Sequence, residues 1–293
     1  MTTIKNNSEI LFIYDAKMTN PNGDMDNENK PRMDYDTDTN LVSDVRLKRY
    51  LRDYFEKQLG EDIFITENAK DAKDRGAQLT KANKTHKDLI DARMFGAVFA
   101  ATGGNDHLTG PIQFNWGYSL NKVELNESST ITSSFSSGEG IGKDYRVKYS
   151  VIAFNGAINA KTAKETELSD DDVKIFDKAM INAIPFCRTR SKIGQTPRLY
   201  LRVEFSDNKT FLNDLREYIK FESEDELTVR SIDNFKINIV DLAEYLSNFS
   251  KKIESVHYWK DEKLQLNDWN KLKEILNSKL KEIKPEEIKS LEE

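Results

Sequence analysis

NPNGDMDNENKPRMDYDTDTNLVSDVRLKRYLRDYF, residues 20–55, joins two segments of opposite character. Residues 20–40 form a polar loop with no apolar period; it holds Pro21, Gly23 and Pro31 and six carboxylates, Asp24, Asp26, Glu28, Asp34, Asp36 and Asp38. A helix follows. Ser43 is its N-cap, and Asp44 sits where the helix dipole favours negative charge. Leu47, Leu51, Tyr54 and Phe55 recur at helical spacing and make a core stripe, flanked by Arg46, Lys48, Arg49 and Arg52. A loop this long feeding a basic helix is more than a core requires.

The alternating acids call for a calcium test. An EF-hand loop needs Gly at its sixth position and Glu at its twelfth. Counting from Asp24 gives Asn29 and Tyr35, and counting from Asp34 gives Thr39 and Val45, so both registers fail. A solvated loop, or an aspartate assisting phosphodiester cleavage, remain as readings.

The 293 residues are enough for one elaborated domain or two small ones. Cys187 is the single cysteine, which excludes an internal disulfide framework and a cysteine-rich zinc site; His86, His107 and His257 lie far apart. There is no apolar run of membrane-spanning length, and residues 1–10 have no basic segment leading into an apolar one. The expectation is a cytoplasmic protein with no membrane partner, no cofactor and no metal. A net charge of −6 argues against non-specific nucleic-acid binding over the whole surface. Local gathering of positive charge is still possible.

Residues 9–17 read as a central strand, apolar on both faces. Residues 61–86 are a lysine- and aspartate-rich excursion with short helices. Residues 87–101 suggest a helix ending at Gly103-Gly104. Ile112, Phe114, Trp116 and Tyr118 alternate as one strand, and residues 131–142 open a hairpin arm continued by the alternating 147–153. Ser169 caps a helix that Pro185 ends. Residues 198–205 alternate cleanly as a strand. Helices are expected at 211–221, 240–254 and 267–284, with a strand at 235–240. Strands joined by hairpins as well as helices favour α+β with an antiparallel sheet.

Basic residues gather in three places: Arg46 to Arg52; Lys143, Arg146, Lys148, Lys161 and Lys164 around the arm; and Arg188, Arg190, Lys192, Arg198 and Arg202 in a stretch without one acid. Phe135, Tyr145 and Tyr149 interleave with the second group. Cations with aromatic platforms hold single-stranded nucleic acid without reading its sequence. Gly194 lets backbone approach a ligand closely. No Walker loop, G-x-G-x-x-G, H-E-x-x-H or nucleophile elbow is present, so no catalytic residue is assigned.

N-P-N-G-D at residues 20–24, P-R at 31–32, L-V-S-D-V-R-L-K-R at 41–49, R-M-F-G at 93–96, G-P-I-Q-F at 110–114 and Y-R-V-K-Y at 145–149 carry a resemblance. Together they resemble the backbone subunits of type I CRISPR surveillance complexes (Cascade), in the RAMP superfamily. Subtype I-B is the nearest branch and I-C is close behind. The motifs span residues 20 to about 202.

The resemblance implies a single domain over residues 1–293. It would have a modified RRM or ferredoxin-like palm, a helical fingers insertion at 60–90, a β-hairpin thumb at 128–160 and a C-terminal helical segment at 241–293. Copies would assemble head to tail along crRNA, beside other Cascade subunits, and present the guide to target DNA. By position, Asn20, Asn22 and Arg32 would shape the loop beside RNA. Arg46, Lys48 and Arg49 would meet phosphates, and Phe135, Lys143, Tyr145 and Arg146 would belong to the thumb and its base. The loop carrying Arg188, Arg190 and Lys192 would add RNA contacts, although its wording C-R-T-R-S-K differs from related branches. The subunit would be non-enzymatic. The alternative is an RNA-guided ribonuclease using a loop aspartate, as in related type III subunits, and a third class is an interaction module unrelated to nucleic acid.

Overall fold

The computed structural model describes residues 2–101, 104–126, 130–132 and 141–284. Its centre is the strand β1, Ser8–Thr19, with the core residues from Ile10 to Tyr14 fully buried. The remaining strands of the main sheet are β2 (Met33–Asp34), β3 (Thr39–Val42), β4 (Ile112–Phe114), β5 (Gly117–Ser119), β6 (Val147–Ile158), β7 (Gln195–Phe205), β8 (Ile253–Lys260) and β9 (Leu280–Glu282). Their order is β9-β8-β7-β1-β6-β5-β3-β2, with β4 also pairing β6. All pairings are antiparallel except the edge pair β8–β9. The fold is therefore a mixed α/β one built on a large, mainly antiparallel sheet.

Strand alternation divides the core into two layers. Ile10, Phe12 and Tyr14 point to one face, where α1 (Asp44–Lys57) and α2 (Asp170–Phe186) cover them with Leu47, Leu51, Phe55, Phe176 and Met180. Leu11 and Ile13 point to the other face, with Leu199, Leu201 and Val203. The C-terminal third covers that face through Leu242, Leu246, Leu272 and Leu276.

Both helix starts follow from their caps. Ser43 Oγ accepts from Arg46 N, and Ser169 with Asp172 forms a capping box. The second helix runs one residue beyond Pro185, to Phe186.

Several elements differ from expectation. The acidic stretch is ordered: Gly23–Asp24 pairs with Lys30–Pro31, and β2 pairs with β3. Positive φ at Glu28, Asn29 and Asp38 makes the tight turns. The helix expected over 87–101 stops at Phe95, and Gly96–Ala101 forms a hairpin with Gly104–Thr109. Gly96 has φ +80, and a Cβ there would lie 2.1 Å from Leu108 O, so only glycine makes this turn. The single strand expected over 112–118 is two, broken at an exposed Trp116.

In the arm, Thr130–Thr132 pairs with Ile141–Lys143, and residues 133–140 lie outside the described residues. β6 is not part of the arm; its interior is buried on both faces, so it pairs beside β1. The helix expected at 211–221 is a single turn, Leu215–Tyr218, followed by strand Lys220–Ser223. The helices expected at 240–254 and 267–284 are shorter, Val240–Ser247 and Trp269–Leu276, and each is followed by a sheet strand. Residues 241–284 are thus helix and strand together.

A buried ion pair ties α1 to the 61–95 region. Asp91, fully buried, accepts from Arg52 Nε at 2.7 Å and from the backbone N–H groups of Phe64 and Ile65. Removing one partner strands the other in a dry site. Asp91→Ala is expected to lower unfolding stability by about 3–5 kcal/mol in urea denaturation. A loss under about 1 kcal/mol would show that the pair does not anchor this region.

Candidate nucleic-acid interface

The Thr19 end of β1 carries the candidate site. Here the 187–194 loop folds back on the strand: Lys17 N donates to Gly194 O at 2.9 Å and Asn20 N to Ser191 O at 3.0 Å. Gly194 has φ +106, and a Cβ there would lie 2.7 Å from Lys17 O. The close approach expected of Gly194 is therefore made to the protein's own backbone. Lys192 Nζ donates to the carbonyls of Asn20 and Pro21, the latter at 3.0 Å. Burial, and then the nearby Arg46 charge, pulls this amine down to about 7.

Asn22 links the loop to the helix. Its Oδ1 accepts from Ser43 N at 2.9 Å and Ser43 Oγ at 2.8 Å, and its carbonyl accepts from Arg32 N. This sets the first turn of α1, where the Arg46 guanidinium lies 4.0 Å from the Tyr50 ring centre. Tyr50 donates to Gln195 Oε1 at 3.1 Å.

Unsatisfied polar atoms concentrate here. Among the described residues, eight buried side-chain polar atoms have no hydrogen-bond partner, and five belong to this end: Tyr14 Oη, Thr19 Oγ1, Asn20 Oδ1, Arg46 Nε and Gln195 Nε2. Such atoms are rare in folded proteins, and this cluster beside two cations makes the Thr19 end the candidate place for a polar ligand or ordered water.

The remaining candidates fall into groups by their partners. Arg32 pairs with Asp24 at 3.2 Å and lies near the Trp116 ring. Lys48 turns inward to Asp44 and Gln113 and is buried. Arg49 is held by Asp53 and the Ile65 carbonyl. Lys143 and Tyr145 both meet Glu28, at 2.6 and 2.9 Å, which holds that carboxyl below its usual range. Arg146 donates to Asp144 and to the carbonyls of Met18 and Arg190, and Arg190 also meets Asp144 at 2.8 Å. Arg188 is exposed, with no ion pair among the described residues. Phe135 lies outside the described residues.

The long basic clusters shrink accordingly. Arg198 is consumed by Asp15 and Asp261, and Arg202 by Asp177. Lys161 and Lys164 follow the Ile158 end of β6, whose other end, at Val147, pairs beside Thr19. They are not near the arm. Sequence reading missed Tyr14, Thr19, Tyr50 and Gln195. The available signals were a hydroxyl at the edge of the α1 core stripe and a glutamine directly after Gly194.

These features define a mixed α/β protein with a cluster of buried, unpartnered polar atoms beside Arg46 and Lys192 at one end of its central strand. The family model described as CRISPR-associated protein Cas7 matches residues 6–240, and the chain belongs to that family. A CRISPR-associated protein Cas7 from Haloferax volcanii is 32% identical over 311 residues, covering 91% of this chain and 90% of that protein. The fold is shared with chains of a "CRISPR RNA-guided surveillance complex, pre-nicking" (TM-score 0.52, 12% identity, 92% of this chain and 99% of that one). It is shared also with those of a "CRISPR RNA-guided surveillance complex" (TM-score 0.53, 15% identity, 92% and 98%). Among the described residues no helix is long and apolar enough to cross a membrane.

The Lys192 amine gives the pocket a pH signature. A phosphate beside it raises its proton affinity, so anion binding takes up a proton once the pH exceeds about 7. Affinity for a single-stranded oligonucleotide is expected to fall as pH rises from 7 to 9, by up to about tenfold per unit. Fluorescence anisotropy of Lys192→Gln should show a flatter profile. The same slope in the variant would remove Lys192 from the site.

Proposed function

We propose that this chain is a non-enzymatic, crRNA-binding backbone subunit of a type I Cascade, of the I-B branch. In this reading it polymerises head to tail along the guide beside other Cascade subunits and displays it for pairing with target DNA. The observation that carries the reading is the polar cluster at the Thr19 end of β1, where Lys192 and Arg46, whose own Nε is one of the five unpartnered atoms, stand together. Phosphate oxygens accept from such donors without reading sequence, which leaves the bases free for pairing. Family membership and the relative from Haloferax volcanii support the same reading.

The main sheet then serves as the RRM-like palm, residues 60–90 as the fingers, and the Thr130–Lys143 arm as the thumb. Arg46, Lys192 and the exposed Arg188 are the primary phosphate contacts. Lys143, Tyr145, Arg146 and Arg190 form a rim, while Asn20, Asn22, Arg32 and Lys48 hold the scaffold.

The ribonuclease reading has weaker support. Among the described residues no three acidic, histidine or cysteine side chains converge as a metal site. Asp24 and Glu28 are engaged by Arg32 and Lys143, and Asp34 accepts hydrogen bonds within its own turn. Incubation of the assembled complex with complementary RNA and magnesium is expected to leave the RNA intact. Regular cuts lost on Asp36→Ala would establish the nuclease instead.

Charge reversal at Arg46 should reduce RNA affinity and lower the slope of log K against log salt by about 1. Arg49→Gln should change that slope little, because Asp53 already holds Arg49. Equal effects from both variants, in filter binding across a salt series, would contradict this placement of the RNA.

A further inference from the structure

At the Ser8 end of the sheet lies a cavity of about 500 Å³, bordered by the 2–6 segment, α2, β7, β8 and β9. Lys5, Lys174, Arg202, His257 and Lys281 line it, against Asp170 and Glu204. Arg202 is neutralised by Asp177, and Lys174 pairs with Asp171. Lys5 and Lys281 make no ion pair among the described residues, so two free ammonium groups stand at this cavity, with Asp170, also outside any such pair, among its lining.

The diagonally opposite corner carries a knob. β2 and β3 form a hairpin on the far edge of the sheet, and residues 35–38 are its tip. Tyr35 projects from the tip, 60% exposed. Asp36 follows it directly and Asp38 lies two residues further on, both exposed and without an ion pair among the described residues. The tip is rigid before any contact is made. Asp34 accepts from Asp36 N at 3.1 Å and Thr37 Oγ1 at 2.9 Å, and Val123 N donates to Asp38 O at 2.8 Å. An exposed tyrosine on a preorganised acidic turn costs little entropy to bury.

The two features lie at opposite ends of β1 and on opposite edges of the sheet. The knob is beside Val123 and Leu125, which reach Val147 and hence the Thr19 end, whereas the cavity adjoins Ser8 and Ile158. Five to six strand spacings separate them, roughly 30 Å. One copy can therefore use both at once, which a head-to-tail interface requires and a two-fold interface does not.

We propose that the Tyr35 tip of one copy docks in the Lys5–Lys281 cavity of the next, with Asp36 and Asp38 facing the two free lysines. This inference rests on the proposed assembly along RNA and assigns the surfaces that join the copies. It also gives the acidic stretch a partner.

The test compares loading on a long single-stranded RNA, followed by sedimentation velocity, with affinity for a short RNA that seats one copy. Asp36→Lys and Lys281→Glu should each leave short-RNA affinity unchanged and reduce cooperative loading by about tenfold. Combining both in one chain should restore loading. Unchanged loading in the single variants overturns the docking, as does failure of the combined chain to recover, which would place the lysine and the aspartate against different partners. Tyr35→Ala should lose loading without a change in unfolding midpoint. Failure of the unaltered chain to bind the short RNA would instead sink the preceding reading of the polar pocket, leaving the charge variants as a separate result.

Discussion

Two-sided burial of β1 is the constraint on which the structure rests. Its residues Ile10 to Tyr14 are sealed from solvent, and both its edges are paired, to β6 and to β7. A strand apolar on both faces needs cover on both. One cover is α1 and α2; the other must come from elsewhere, and the C-terminal third supplies it. The family model ends at residue 240, yet the cover beyond it cannot be dispensable, because Leu242, Leu246, Leu272 and Leu276 pack on the face that holds Leu11 and Ile13. The long strand also separates two ends about 40 Å apart, at roughly 3.3 Å per residue. The polar pocket occupies one end and the cavity the other.

Charge in this molecule is arranged by how tightly each cation is held. Arg52, Arg198 and Arg202 sit in buried pairs with Asp91, Asp15 and Asp177. Breaking such pairs is expensive because a charge is left in a dry interior. Lys143 with Glu28 and Arg190 with Asp144 lie at the surface, where a pair contributes little. An arriving phosphate can displace a surface carboxylate at small cost, and it cannot extract Arg202. Glu28 and Asp144 thus compensate the rim cations Lys143, Arg146 and Arg190, and a polyanion could compete for them. Such an arrangement makes a net charge of −6 compatible with the proposed nucleic-acid site.

Legibility in the sequence followed the strength of local pattern. β1, β7 and α1 could be read because their periodicity is strict and, for α1, because Ser43 and Asp44 announce the start. β8, with the sequence IESVHYWK, could not be read. Its polar and aromatic residues fit the end of a helix equally well, and only the open edge of β7 makes it a strand. Gly96–Ala101 failed for the same reason, since the partner strand decides. The site was legible in its cations and not in their partners. Composition cannot say that Lys48 faces Gln113 while Arg188 faces water, or that Tyr50 and Gln195 meet across 145 positions of sequence.

In the proposed assembly, the polar cluster at the Thr19 end would hold RNA weakly in a single copy and strongly in a row of them. Each such cluster offers few cations outside an ion pair, Arg46, Lys192 and Arg188, and Lys192 already donates to the Asn20 and Pro21 carbonyls, so the binding free energy per copy would be modest, and much of it screened by salt. When copies touch, the next pocket meets a strand already held nearby, at high effective concentration, and affinity grows without any new kind of contact. A chain with many free cations would bind any polyanion as a monomer. Under the proposed assembly, a chain acidic overall and with most of its arginines paired internally would depend on neighbours, which would make the surfaces joining copies as important to RNA retention as the residues that touch the phosphates.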